Sequence, residues 1–234
     1  MNQVIQIFKN EFKTYFVTPI AYIVISIFLV VTGWFFFSTF FVFKQADLRN
    51  FFALLPIIFS FVVPAVTMRL FSEELNVGSY ETLLTLPVTF RDVILGKFFA
   101  AVGFIAAMLI PTLAYPVCIS FLGQLDWGPV AGGYIGALFL GASFAAIGLF
   151  SSSLTRNQII AFIIGMTLCF SLTLIDKMLI LFPRTFLGFL GYLGADFHFQ
   201  NISKGIIDSR DFLYFLSIIF LGLYSTHLVM KEKN

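Results

Sequence analysis

Six long apolar runs constrain this chain more than any other feature it has. They cover Ile20–Phe43, Phe51–Met68, Val93–Leu122, Pro129–Leu154, Asn157–Ile175 and Phe212–Met230. A helix crosses a bilayer's hydrocarbon core with about 17–25 mostly apolar residues, and each run reaches that length. Backbone N–H and C=O groups in lipid must pair within their own segment, so such runs are expected as helices. Charged residues make up only 11% of the chain, against about 25% in a soluble domain. The sequence therefore predicts an all-α membrane protein with six transmembrane helices.

The region before the first run has a different pattern. Between Asn2 and Phe16, apolar side chains recur at helical spacing as Val4, Ile5, Phe8, Phe12, Tyr15 and Phe16, while Gln3, Gln6, Lys9, Asn10 and Lys13 fill the other face. A helix of this kind lies along a membrane surface rather than crossing it. Residues 1–18 are thus expected as an interfacial helix, broken by Pro19, and residues 19–234 as a single six-span domain. The first run has 24 residues, longer than the apolar core of about 7–15 residues in a cleaved signal peptide, so it is expected as a retained span.

The longest polar interruption is Phe71–Lys97, which holds Glu73, Glu74, Glu81, Arg91, Asp92 and Lys97. Thr89-Phe90-Arg91-Asp92 fits a helix-starting capping box, with Val88 and Val93 placed as a hydrophobic staple. Before it, Pro87 ends a short amphipathic helix expected at about Ser79–Leu86. Within that helix Leu83, Leu84 and Leu86 offer an apolar anchor, and Glu81 offers a charge for a basic partner. Glu73 and Glu74 read equally well as solvated charges at a membrane surface, and Arg69 reads as snorkelling at a helix end. The third run, thirty residues from Val93 to Leu122, would be about 45 Å long as one helix. It is expected to project from the bilayer at Arg91–Lys97.

Small residues four apart, Gly133, Ala137, Gly141 and Ala145, form a ladder on the fourth run, with Gly132 and Gly136 in a second register. Such ladders let helix backbones approach closely, within one chain or between two. Residues 178–207 are aromatic and apolar but broken by Pro183, Gly188, Gly191, Gly194 and Gly205. Short re-entrant or interfacial helices are expected there, on the outer side. His198 lies between two phenylalanines in this segment and reads as structural.

Several function classes find no support. Net charge is +2, which gives no reason to expect a nucleic-acid partner. Cys118 and Cys169 sit in apolar runs, and no Cys/His spacing suits a metal. No Asp, Glu, Lys or Arg occupies the centre of a run, where proton- and ion-coupled transporters place them. No G-x-x-x-x-G-K-[ST] phosphate loop, H-E-x-x-H or G-x-S-x-G is present. The chain is therefore expected to be no enzyme and to carry no cofactor. Lys and Arg counted along the connections place eight on the side of the N-terminus and six on the other. That bias predicts cytoplasmic N- and C-termini.

At Phe71–Lys97 the chain resembles the permease subunits of type-2 ABC exporters. The gliding-motility permeases, and the permease that serves copper-site maturation in nitrous oxide reductase, are the most similar. The matching residues are Arg69, Glu73, Glu74, Gly78, Ser79, Glu81, Leu83, Leu84, Thr85, Pro87, Val88, Gly96 and Lys97, with Ser79 where the family often has Thr. A second likeness covers Phe197–Phe215. The resemblance implies a coupling helix at Ser79–Leu86 docking on a separate ABC ATPase subunit. It also implies a second permease copy or homologue, a connecting helix at the N-terminus, and a location in the bacterial inner membrane. The ATPase-coupling residues would be Glu73, Glu74, Gly78, Ser79, Glu81, Leu83, Leu84, Thr85 and Pro87. The alternative expectation is a passive channel or a membrane scaffold that uses no nucleotide.

Overall fold

Prolines and side-chain caps set most of the helix boundaries in this protein. The computed structural model describes residues 2–43, 47–78, 89–121, 123, 125–178, 192–206 and 208–233. Ten α-helices are present among the described residues. They are α1 (Asn2–Val17), α2 (Pro19–Phe43), α3 (Arg49–Thr67), α4 (Arg69–Val77), α5 (Phe90–Leu109), α6 (Ala114–Ser120), α7 (Trp127–Leu154), α8 (Gln158–Met178), α9 (Ala195–Ser203) and α10 (Ser209–Glu232). Pro19 is the first residue of α2, where its missing N–H has no helical role to fill. Asp126 and Asp208 cap α7 and α10 by accepting from Gly128 N–H and Arg210 N–H. At the start of α5, Thr89 and Asp92 form the expected capping box.

Six stretches are long and apolar enough to cross a membrane: Pro19–Ser38, Arg49–Val77, Phe90–Ser120, Trp127–Leu154, Gln158–Ile175 and Ser209–Glu232. Two of them are not single rods. In the third, α5 stops at Leu109, a 3-10 turn covers Ile110–Leu113, and α6 follows. Pro111 and Pro116 each remove a backbone donor there, so the long run is divided rather than continuous. The second is interrupted at Met68, between α3 and α4, although Met68 itself keeps helical dihedrals. There Ser152 Oγ of α7 accepts from Phe71 N–H (2.9 Å) and Ser72 N–H (3.0 Å), and donates to Met68 O (2.9 Å). A side chain from another helix thus replaces part of the local ladder.

The most buried of the six is α7, while α2, α8 and α10 are the least buried. Its small residues explain the place it takes. A Cβ added at Gly133 would meet the Phe52 ring of α3 at 2.3 Å, and one at Gly141 would meet Ile105 of α5 at 2.8 Å. Ala137 and Ala145 are fully buried. At Gly148 the same construction lands 1.9 Å from Thr67 Oγ1. The ladder therefore packs α3 and α5 onto α7 inside one chain. Lys233, just past α10, donates to Ser153 O (2.6 Å) and Leu154 O (3.2 Å), and so satisfies the open carbonyls at the end of α7.

The N-terminal half of α5, α4, the C-terminal end of α7 and the end of α10 meet at one end of the bundle. Helix α9 and the start of α10 meet at the other. Of the outer segment 178–207, α9 and residues 192–194 are described, and residues 179–191 and 207 lie outside the described residues.

Candidate functional site at the junction of α1, α4 and α5

Helix α1 reaches α5 because the face it meets is nearly smooth. A Cβ at Gly96 would lie 2.6 Å from Ile7 Cγ2, and Phe8 and Phe12 close over Gly103. This contact lays the α1 stripe Ile7–Glu11–Tyr15, spaced four residues apart, against the bundle. Helix α4 buries Leu70, Phe71 and Ser72 and leaves Glu73 exposed. Glu74, one residue on, faces inward.

Lys97 sits at the centre of this junction. Its residue surface is 2% exposed. Nζ donates to Glu11 Oε1 of α1 and to Glu74 Oε1 of α4, each at 2.6 Å. The ammonium also lies 5.4 Å from the centroid of the Phe71 ring, within cation–π range. Two carboxylates on one ammonium leave a surplus negative charge, and Glu74 Oε2 is buried with no hydrogen-bond partner. Beside the cluster is a cavity of about 240 Å³, lined among others by Glu11, Tyr15, Arg69, Glu73, Glu74 and Lys97. Tyr15 Oη donates to Val66 O at 3.4 Å. Burial pushes its phenol above the ordinary value, Glu11 adds to this and Arg69 opposes it, so the hydroxyl stays a donor.

Chemically this is a clamp. Charge-assisted bonds are short and strong in a low dielectric. Breaking one partner of a buried ion pair is far more costly than breaking a surface pair. One ammonium therefore fixes three helices to each other. Among the described residues, no group of three or more His, Cys, Asp or Glu is arranged to hold a metal.

The sequence-derived residues divide between this site and elsewhere. Glu74 belongs to the clamp and Glu73 lines its mouth. Gly78 ends α4 in the left-handed region at φ 77°, which favours glycine. Ser79, Glu81, Leu83, Leu84, Thr85 and Pro87, and with them the expected helix Ser79–Leu86, lie outside the described residues. The contacts sharpen two readings. Lys97, at the end of the segment expected to project, is enclosed by Glu11 and Glu74. Of the two readings open for Glu74, the solvated surface charge gives way to a partner of Lys97. Glu11 was not singled out from the sequence at all. Its signal was there: it interrupts the apolar stripe of α1, as Lys97 interrupts the buried face of α5. Opposite charges on two facing apolar stripes are candidates for a buried pair.

No protein-family model matches this chain, and comparison with curated proteins gives no match.

Proposed function

We propose that this chain is the membrane permease subunit of an ATP-driven exporter of the type-2 ABC class. In this reading it lies in a bacterial inner membrane with both termini in the cytoplasm, and it pairs with a second permease copy or homologue. Helix α1 serves as the interfacial connecting helix. Residues 79–88 dock on a separate ATPase subunit, with Glu81 and Leu84 as contacts. The observation that carries the reading is the Lys97 clamp. The two helix ends that flank residues 79–88, the end of α4 and the start of α5, are tied to each other and to α1 through one buried ammonium. A force applied at the docking segment would move α4, α5 and α1 as one body. Through them it would reach two membrane-crossing stretches. A motor-driven transporter needs such a transmission, and an isolated loop would not supply it.

The test is reconstitution with a candidate phosphate-loop ATPase encoded beside the chain, followed by ATP hydrolysis and flux in liposomes. A stable complex is expected, whose ATP-dependent flux falls to background in Glu81→Lys with the membrane part still folded. Wild-type flux in Glu81→Lys overturns the coupling role. Flux that needs neither ATPase nor ATP moves the assignment to a passive channel, and no complex with no flux moves it to a scaffold.

A further inference from the structure

Hydrogen-bond geometry at the opposite end of the bundle singles out His198. The residue is 4% exposed, in a chain with two histidines. Nδ1 lies 2.6 Å from Asp211 Oδ1 of α10, and Nε2 lies 3.0 Å from the carbonyl oxygen of Tyr192. With Asp211 ionised, both partners only accept. A neutral imidazole has one N–H and one lone pair, so it can then serve only one of them. The other contact would set a lone pair against an oxygen at bonding distance. Beside a carboxylate, both contacts are made at once only by the imidazolium.

The surroundings agree. Asp211 is 3% exposed, and its second oxygen is buried without a partner. Asp196, also buried, accepts from Gln200 Nε2 at 3.0 Å and pairs with Lys177 of α8 at 3.6 Å. Lys177 thus serves Asp196, and among the described residues the protonated ring is the cation in contact with the Asp211 carboxylate. Other charges on the neighbouring elements are farther out. Asp208, Arg210 and Lys204 are exposed, and so is Arg49 of α3, which pairs with Asp47. From α7, Gly132 and Gly136 present no charge to α9. The side chain of Asp176 on α8 lies outside the described set. The Tyr214 ring stacks on the imidazole at 4.1 Å between centroids, and its hydroxyl donates to Leu193 O at 2.6 Å.

We propose that His198 and Asp211 form a proton-binding site that latches residues 192–194 to α10. A proton from the bulk adds to the imidazole lone pair, and no other group changes. On its loss the ring keeps Nδ1–H on the carboxylate, the stronger acceptor, and Nε2 turns a lone pair toward Tyr192 O. That contact opens. The latch is closed at low pH and released as pH rises. The site stands independently of the exporter reading.

The test uses the full chain in nanodiscs, labelled with 15N-histidine, with His227→Gln to assign the two rings. From about pH 5 to about pH 9, the window that brackets histidine titration, both His198 nitrogens are expected to be protonated at the low end and one at the high end. Over the same step, hydrogen exchange of residues 192–206, corrected for intrinsic rates, should rise about tenfold, as for one lost hydrogen bond. Asp211→Asn should hold that protection at every pH. Its amide can donate to Nδ1 of a neutral ring whose Nε2–H still serves Tyr192 O. His198→Gln should show the fast exchange throughout. A single protonated nitrogen at the low end overturns the proposal. So does flat protection in the natural chain, or a pH step in Asp211→Asn equal to that of the natural chain.

Discussion

At the scale of single residues, Lys97 decides the most. Replacing it with Met removes the cation bonded to Glu11 Oε1 and Glu74 Oε1. Two half-buried carboxylates then face each other with no ammonium between them. The expected loss is about 3–5 kcal/mol, the usual cost of stripping one partner from a buried ion pair. Glu74→Gln should cost less. The amide oxygen still accepts from Nζ and the surplus negative charge disappears, but an NH2 replaces the buried oxygen that has no partner, so the loss should be about 1–3 kcal/mol, that of one unsatisfied donor. Unfolding in mild detergent, followed by helical signal, checks both, and a Lys97→Met midpoint equal to that of the natural chain would remove the clamp from the argument. The residue scale also shows what a sequence can disclose. The capping box at Thr89 is legible because its partners are three residues apart. The clamp was missed because Lys97 meets Glu11 across 86 positions and Glu74 across 23. Counted along the chain, nothing pairs the three.

At the scale of elements, close approach matters more than hydrophobicity. Helix α1 could not lie where it does if position 96 carried a side chain. Gly96→Leu is expected to lift α1 from α5, withdraw Glu11 from Lys97, and open Lys9 and Lys13 to trypsin several-fold faster in detergent or nanodiscs. Gly103→Ala should do much less, since a Cβ there meets the Phe12 ring edge at 3.3 Å and the ring can give way. Unchanged cleavage in Gly96→Leu would mean that α1 is held by something else. The same distinction explains which elements could be read in advance. Hydropathy locates six spans because lipid demands length and apolarity and little else. It does not register the break after Leu109, which depends on two missing N–H groups. Nor does it register the interruption at Met68, where hydrogen bonds come from Ser152, about eighty positions away.

At the scale of the whole molecule, orientation rests on a thin margin. Eight basic residues on the side of the N-terminus against six on the other is a small excess for a six-span chain. Lys9 and Lys13 are both exposed on α1 and make up that difference of two. The bundle itself does not need them, because the contacts of α1 with α5 run through Ile7, Phe8 and Phe12. Changing both to Gln should therefore leave the fold intact and equalise the two sides. Under the rule that basic residues stay on the cytoplasmic side, the chain should then insert both ways. The assay places one cysteine at Arg156, between α7 and α8, or at Lys204, after α9, in a background where exposed Cys118 is replaced by Ser. A membrane-impermeant thiol reagent is then applied to intact cells. With the natural lysines, only the cysteine at 204 should react. With both replaced by Gln, each position should react in part. Labelling at 156 in the presence of both lysines would reverse the orientation. It would put residues 79–88 on the far side from any cytoplasmic ATPase, and the exporter reading would fall with it.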